Sequence, residues 1–138
     1  MSLIIKQRLA GWDVWGDVKI SNAVHWVLEL AIKDGELGAF ETLMNDMVTA
    51  TQANEPGATH YEWFVSDDKT SCHIYERYVD SAAVLTHLGN FGAHFSERFM
   101  AVFEPTRLTV YGNPSAEVRG ALAGFGAVHM EQAGGFAR

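Results

Sequence analysis

The chain has 138 residues, 48% hydrophobic and 12% aromatic, with a formal net charge of −7, which is the size and apolar content of one domain with its own core. Its ten Lys and Arg residues are scattered singly, so no basic patch is offered to a phosphate backbone or to anionic lipid, and neither nucleic acid nor a membrane surface is an expected partner. The lone Cys72 cannot close an internal disulfide, no apolar run approaches the ~20 residues of a membrane helix, and the N-terminal stretch has no secretory pattern, so a soluble, cytoplasmic protein is expected.

Residues 1–23 form an N-terminal extension in which Trp12 and Trp15 stand among glycines and charges. Such aromatics are expected to pack onto a partner or over a pocket mouth rather than face water. A main domain over 24–112 opens with a strand at about 24–32, rich in strand formers and ended by Asp34-Gly35. The period then changes. Leu37, Phe40, Leu43, Met44, Met47 and Val48 follow the stripe of an amphipathic helix that Pro56-Gly57 stops. Two strands, 59–66 and 70–79, are joined by a turn at Asp67-Asp68-Lys69. A helix capped by Asp80-Ser81 carries Val84, Leu85 and Leu88, and Gly89-Asn90-Phe91-Gly92 is expected to interrupt it. A further helix over 94–103 ends at Glu104-Pro105, and a last strand spans 106–111. Residues 113–138 read as a short helix from Asn113-Pro114-Ser115 to about Leu122 and a Gly-rich tail.

The order β-α-β-β-α-β predicts an α+β, ferredoxin-like fold with a four-stranded antiparallel sheet and both helices on one face. The bare face calls for a cover. A second copy is the cheapest one, so a homodimer closed into an α+β barrel is expected.

"EPGATHYEWFVSDD", "HIYERYVDSAAVLTHL" and "TRLTVYGNP" together resemble the antibiotic-biosynthesis-monooxygenase-like (ABM) domain. The match runs through Glu55-Pro56-Gly57, Tyr61-Glu62, Tyr75-Glu76-Arg77-Tyr78 and Thr86-His87-Leu88, over about residues 24–111. The resemblance implies a dimeric α+β barrel and a small-molecule activity. Members include oxygenases that oxidise phenols or quinols without metal or flavin, haem-degrading enzymes and an isomerase. The haem branch fits poorly, because no Asn stands in 24–32 and His87 occupies the position of its helix tryptophan.

Cofactor-free oxygenation, as the resemblance implies, needs a base with a pKa near 7, an apolar slot for a flat ring and donors for the developing anion. His87, in the apolar sequence Val84 to Leu88, is the expected base, with Glu76 orienting it. His87 could equally be a helix histidine tied to a carbonyl or carboxylate. With the turn centred near Asp68, His60 falls opposite Glu76, as a catalytic or a purely structural pair. Tyr61 and Trp63 are expected on the face opposite Glu76, together with Tyr75 and His73. Tyr61, Trp63, Tyr78 and Phe95 would shape the slot, and His94 is a second candidate contact. Six histidines invite a metal reading, but no His-Glu-x-x-His or paired spacing occurs, so neither metal nor other cofactor is expected. The substrate expectation is a small aromatic molecule. The alternatives are a dimeric binding protein for a small apolar ligand, and an isomerase on the same fold.

Overall fold

A computed structural model describes the backbone of residues 2–9 and 12–19, and residues 21–138 in full. The N-terminal strands β1 (Ser2–Leu9) and β2 (Trp12–Lys19) pair antiparallel as a separate hairpin. The expectation for the Trp12 and Trp15 side chains lies outside the described residues.

The remaining elements are β3 (Val24–Ile32), α1 (Leu37–Asn54), β4 (Ala58–Val65), β5 (Ser71–Tyr78), α2 (Ser81–His94), α3 (Ser96–Val102), β6 (Phe103–Gly112), α4 (Ala116–Ala123) and β7 (Val128–Met130). The sheet order is β4-β5-β3-β6-β7. Its first four strands are antiparallel neighbours in the expected ferredoxin-like arrangement, but β7 adds a fifth, parallel to β6. The sheet is therefore five-stranded and mixed. The Gly-rich tail makes this possible, since Gly126 at φ +69° turns the chain back after α4 and lays Val128 to Met130 beside Thr109 to Tyr111.

The apolar stripe of α1 buries Phe40, Leu43 and Met47 against the sheet. After it, the Glu55-Pro56-Gly57 corner is pressed onto α2: a Cβ on Gly57 would lie 2.7 Å from the Cβ of Ala83, so only glycine permits this approach. Helix α2 is capped by Asp80, whose carboxylate accepts the Ala83 N–H at 2.9 Å. The expected break at Gly89 to Gly92 does not occur. Both glycines are exposed with open space around them, and Val84, His87, Leu88 and Phe91 on the other side pack inward, so burial outweighs the roughly 1 kcal/mol helix cost of each glycine. The helix runs unbroken to His94.

The hairpin register differs from the expectation by one residue. Thr70 belongs to the turn: Asp68 accepts its N–H and its hydroxyl as well as the Ser66 hydroxyl, which holds the Asp68 carboxyl below its ordinary pKa. Lys69 takes φ +61°, and Ser66 pairs with Ser71. A one-residue shift exchanges the two faces of a strand. Tyr61, not His60, stands opposite Glu76, while His60 stands opposite Arg77 beyond a bulge at Thr59.

Two buried clusters fill the space between sheet and helices. One centres on Phe40, Ile74, Phe99 and Phe103, the other on Trp26, Tyr78, Val84 and Val118. Among the described residues, no helix is long and apolar enough to cross a membrane.

Candidate active site

Where those two clusters meet, the interior becomes polar. His87 on α2, Glu76 on β5 and Glu55 at the end of α1 are all buried. The imidazole Nδ1 bonds Glu55 Oε1 at 2.9 Å, and Nε2 lies 3.1 Å from Glu76 Oε1. The Tyr78 hydroxyl donates to the same Glu76 oxygen at 2.6 Å, and the Asn90 amide donates to Glu55 Oε2 at 3.3 Å. The rings of Tyr78 and Tyr61 flank the imidazole, with centroids at 5.1 and 5.5 Å.

Each position follows from local structure. The alternation of β5 turns Glu76 and Tyr78 inward together, being two residues apart. The Gly57 contact with Ala83 draws Glu55 under α2, one turn of which separates His87 from Asn90.

Burial alone would push the charge off the His87 ring. The hydrogen bonds and charges of Glu55 and Glu76 overcome this and raise its pKa to about 9. At neutral pH His87 is therefore an imidazolium with a carboxylate at each nitrogen. Burial opposes ionisation of Glu55 as well, yet the His87 bond and charge leave its pKa below the ordinary value. Both tyrosines are pushed up, first by burial and then by the nearby carboxylates, so they remain phenols that can donate. The expected histidine base with a pKa near 7 is thus found already charged. A carboxylate is the group beside it with a lone pair to take a proton.

The triad separates two spaces. On the Glu76 side is a cavity of about 60 Å³ walled by Trp26, Leu28, Ile74, Phe91 and Leu108 and reached past Met100 and Phe125. Both rim residues are about half exposed. On the Glu55 side is a cleft of about 170 Å³ bordered by Thr51, Asn54, Asn90, His94 and Phe95.

His87, Glu76, Tyr61 and Tyr78 are thus brought together. His94 and Phe95 line the cleft, and the unbroken α2 is what places His94 two turns from His87. Trp63 shares the inner face but stands toward the far end against Phe40 and Phe103. His60 is exposed on the outer face beside Thr59 and Tyr75, so the expected His60–Glu76 pair is replaced by His87–Glu76. The expected grouping of Tyr61 and Trp63 with Tyr75 and His73 is also corrected, since the register places Tyr61 and Trp63 with Glu76 and turns Tyr75 and His73 outward. Sequence reasoning passed over Glu55 as a site residue. No local signal marks it, because its burial comes from the approach of α2 at Gly57.

The profile of the antibiotic biosynthesis monooxygenase family matches residues 23–101, more than half of the chain. The chain belongs to that family. Among curated protein sequences none matches. Among solved structures, MupZ from Pseudomonas fluorescens superposes with a TM-score of 0.76 at 25% identity, over 86% of this chain and 96% of MupZ. SnoaB, a cofactor-independent oxygenase from Streptomyces nogalater, gives 0.57 at 17% identity over 70% and 97% of the two chains. Rv0793 from Mycobacterium tuberculosis gives 0.53 at 23% over 67% and 96%. The family profile ends before β6, α4 and β7, whereas the cavity wall includes Leu108, Leu122 and Phe125 from the segment beyond it.

Proposed function

We propose that the protein is a cofactor-independent monooxygenase that oxidises a small aromatic, quinol- or anthrone-like substrate with O2. The observation that carries this reading is the Glu76–His87 pair at the wall of an apolar cavity, in a family that includes such oxygenases. A sealed, purely apolar cavity would instead favour a binding protein.

In this reading Glu76 is the catalytic base and His87 holds the charge. The carboxylate takes a proton from an acidic C–H or O–H of the ring system. The imidazolium and the Tyr61 phenol supply the fixed positive charge and a donor that stabilise the anion left behind, while Tyr78 gives its one O–H to Glu76 and holds that carboxylate in place. The anion passes one electron to O2, the two radicals combine to a peroxide, and Glu76 returns its proton to it. Loss of water then breaks the O–O bond: a CH2 group and O2 give C=O and H2O, with no external reductant. The cavity is smaller than the roughly 150 Å³ that holds benzene, so Phe125 and Met100 at the rim must swing aside to admit a ring. His94 and Phe95 border the cleft and act on the far side of the triad. His60 and Trp63 stand outside the cavity wall and are given no contact with the ring.

The test is oxygen consumption by metal-stripped protein against a panel of hydroquinones and anthrones. Uptake without any added cofactor is expected, and no uptake across the panel would sink the oxygenase. An imidazolium and a carboxylate side by side also suit proton removal and return at another carbon, so proton exchange into substrate without oxygen uptake would point to the isomerase.

The active form in this proposal is a homodimer. The outer sheet face presents Val27, Tyr75 and Tyr111, and Phe64 is 56% exposed, a surface that a second copy would cover. Sedimentation should give a dimer for the natural protein and a monomer for Phe64→Asp. A natural protein that sediments as a monomer would rule this arrangement out.

A further inference from the structure

Glu55 has no part in the chemistry proposed above, yet it is buried, ionised and bonded at both oxygens. Its position relative to the two cavities suggests a reason. His87, Met47 and Phe91 form a wall common to both spaces. The Nε2 side of the ring faces Glu76 and an apolar cavity. The Nδ1 side faces Glu55, whose outer oxygen meets Asn90 in a cleft bordered by the polar Thr51, Asn54 and His94, the last two exposed. Protons move between buried groups and bulk solvent along polar atoms and water, and among the described residues the polar lining for such a path is on the Glu55 side.

We propose that Glu55 is a positioning residue that keeps His87 charged, and that the His87 proton exchanges with water through the Glu55 cleft rather than through the apolar cavity. The imidazolium then stays in equilibrium with solvent while a ring fills the cavity, because substrate and solvent reach opposite edges of one histidine. The inference rests on the acid–base reading of this site and not on the identity of the substrate. The groups facing His87 are Glu55 from the end of α1, Glu76 and Tyr78 from β5, Tyr61 from β4 and Asn90 from α2. His94 stands at the cleft rim.

The two ring protons of His87 can be followed separately by NMR in protein labelled with ¹⁵N-histidine, at pH 7 and without any substrate. Nδ1–H is expected to exchange with water faster than Nε2–H. Asn90→Leu, which caps the cleft with an apolar side chain, should slow Nδ1–H exchange by about tenfold or more, as for a group cut off from solvent. Phe125→Trp at the cavity mouth should leave it unchanged. Glu55→Gln should bring the His87 pKa down toward 6.5, and Glu55→Asp should keep it raised. Faster exchange at Nε2–H, an Asn90→Leu rate equal to that of the natural protein, or a Glu55→Gln protein with an unmoved His87 pKa would each overturn the proposal. The natural protein and Asn90→Leu decide the matter even if Glu55→Gln does not fold. A protein that takes up no oxygen but shows the asymmetric exchange would fail as an oxygenase and still satisfy this inference.

Discussion

His87→Ala should be the most destabilising single substitution at this site, by about 3–5 kcal/mol near neutral pH, and the loss should shrink as the solution is acidified. Removing one partner of a buried ionic cluster leaves the others without compensation, and that penalty, not the worth of the cluster, sets the cost. Here two buried carboxylates, at 2.9 and 3.1 Å from the ring, lose the cation they share. The uncompensated charge must then be neutralised or hydrated by water drawn inward. Acid removes carboxylate charge and with it the penalty, so denaturation curves at neutral and acid pH separate the charge effect from simple cavity formation, which does not depend on pH. Adding Glu55→Gln and Glu76→Gln to His87→Ala should recover part of the loss at pH 7. If the triple variant is no more stable than the single one, the charge account is wrong.

The same geometry gives the natural protein a pH signature. A histidine whose pKa rises from 6.5 unfolded to about 9 folded contributes stability that is fully present below 6.5 and is lost as pH rises through 9. At about 1.4 kcal/mol per unit the shift is worth on the order of 3 kcal/mol for so buried a group. Glu55 works in the other direction. Its lowered pKa contributes above 4.5 and is lost as pH falls through the folded value. Stability should therefore peak between about 4.5 and 6.5, and His87→Ala should abolish the alkaline slope.

How far this site could be read in advance depended on how local its causes are. The Val24–Ile32 strand and the α1 stripe are set by side-chain period, which the chain carries in every few residues. Glu76, Tyr78 and His87 could be nominated because a carboxylate in an aromatic strand and a histidine in an apolar helix need partners wherever they go. Their pairing could not. It turns on Thr70 joining the turn, a matter of three hydrogen bonds to Asp68, and one residue of register decides whether His60 or Tyr61 meets Glu76. Glu55 was hidden for another reason: its burial comes from the approach of α2 at Gly57, a tertiary contact to which local pattern is blind. The α2 glycines show the reverse error, in which a local breaker yields to the packing of the opposite helix face. Strand β7 is too short for periodicity and depends on the Gly126 turn.

Glu76→Gln should lower the rate of the chemical step by about 10²–10⁴-fold, the range over which a positioned proton acceptor contributes, while leaving the cavity able to bind the ring. Glutamine has the same length and can still meet the Tyr78 hydroxyl and one His87 nitrogen, so loss of activity would reflect the missing carboxylate and not a collapsed site. Both bonds to Glu76 fall on Oε1, which leaves Oε2 as the oxygen that would face a substrate proton. Tyr78→Phe provides the comparison. It removes a donor from Oε1 without touching the acceptor, and should cost roughly tenfold, near the 1.4 kcal/mol of one hydrogen bond. The order matters more than either number. Glu76→Gln far below Tyr78→Phe identifies the carboxylate as the base, whereas equal losses would mean that Glu76 serves only to hold Tyr78 and His87 in place. A Glu76→Gln variant with undiminished turnover would mean that a group other than Glu76 takes the proton.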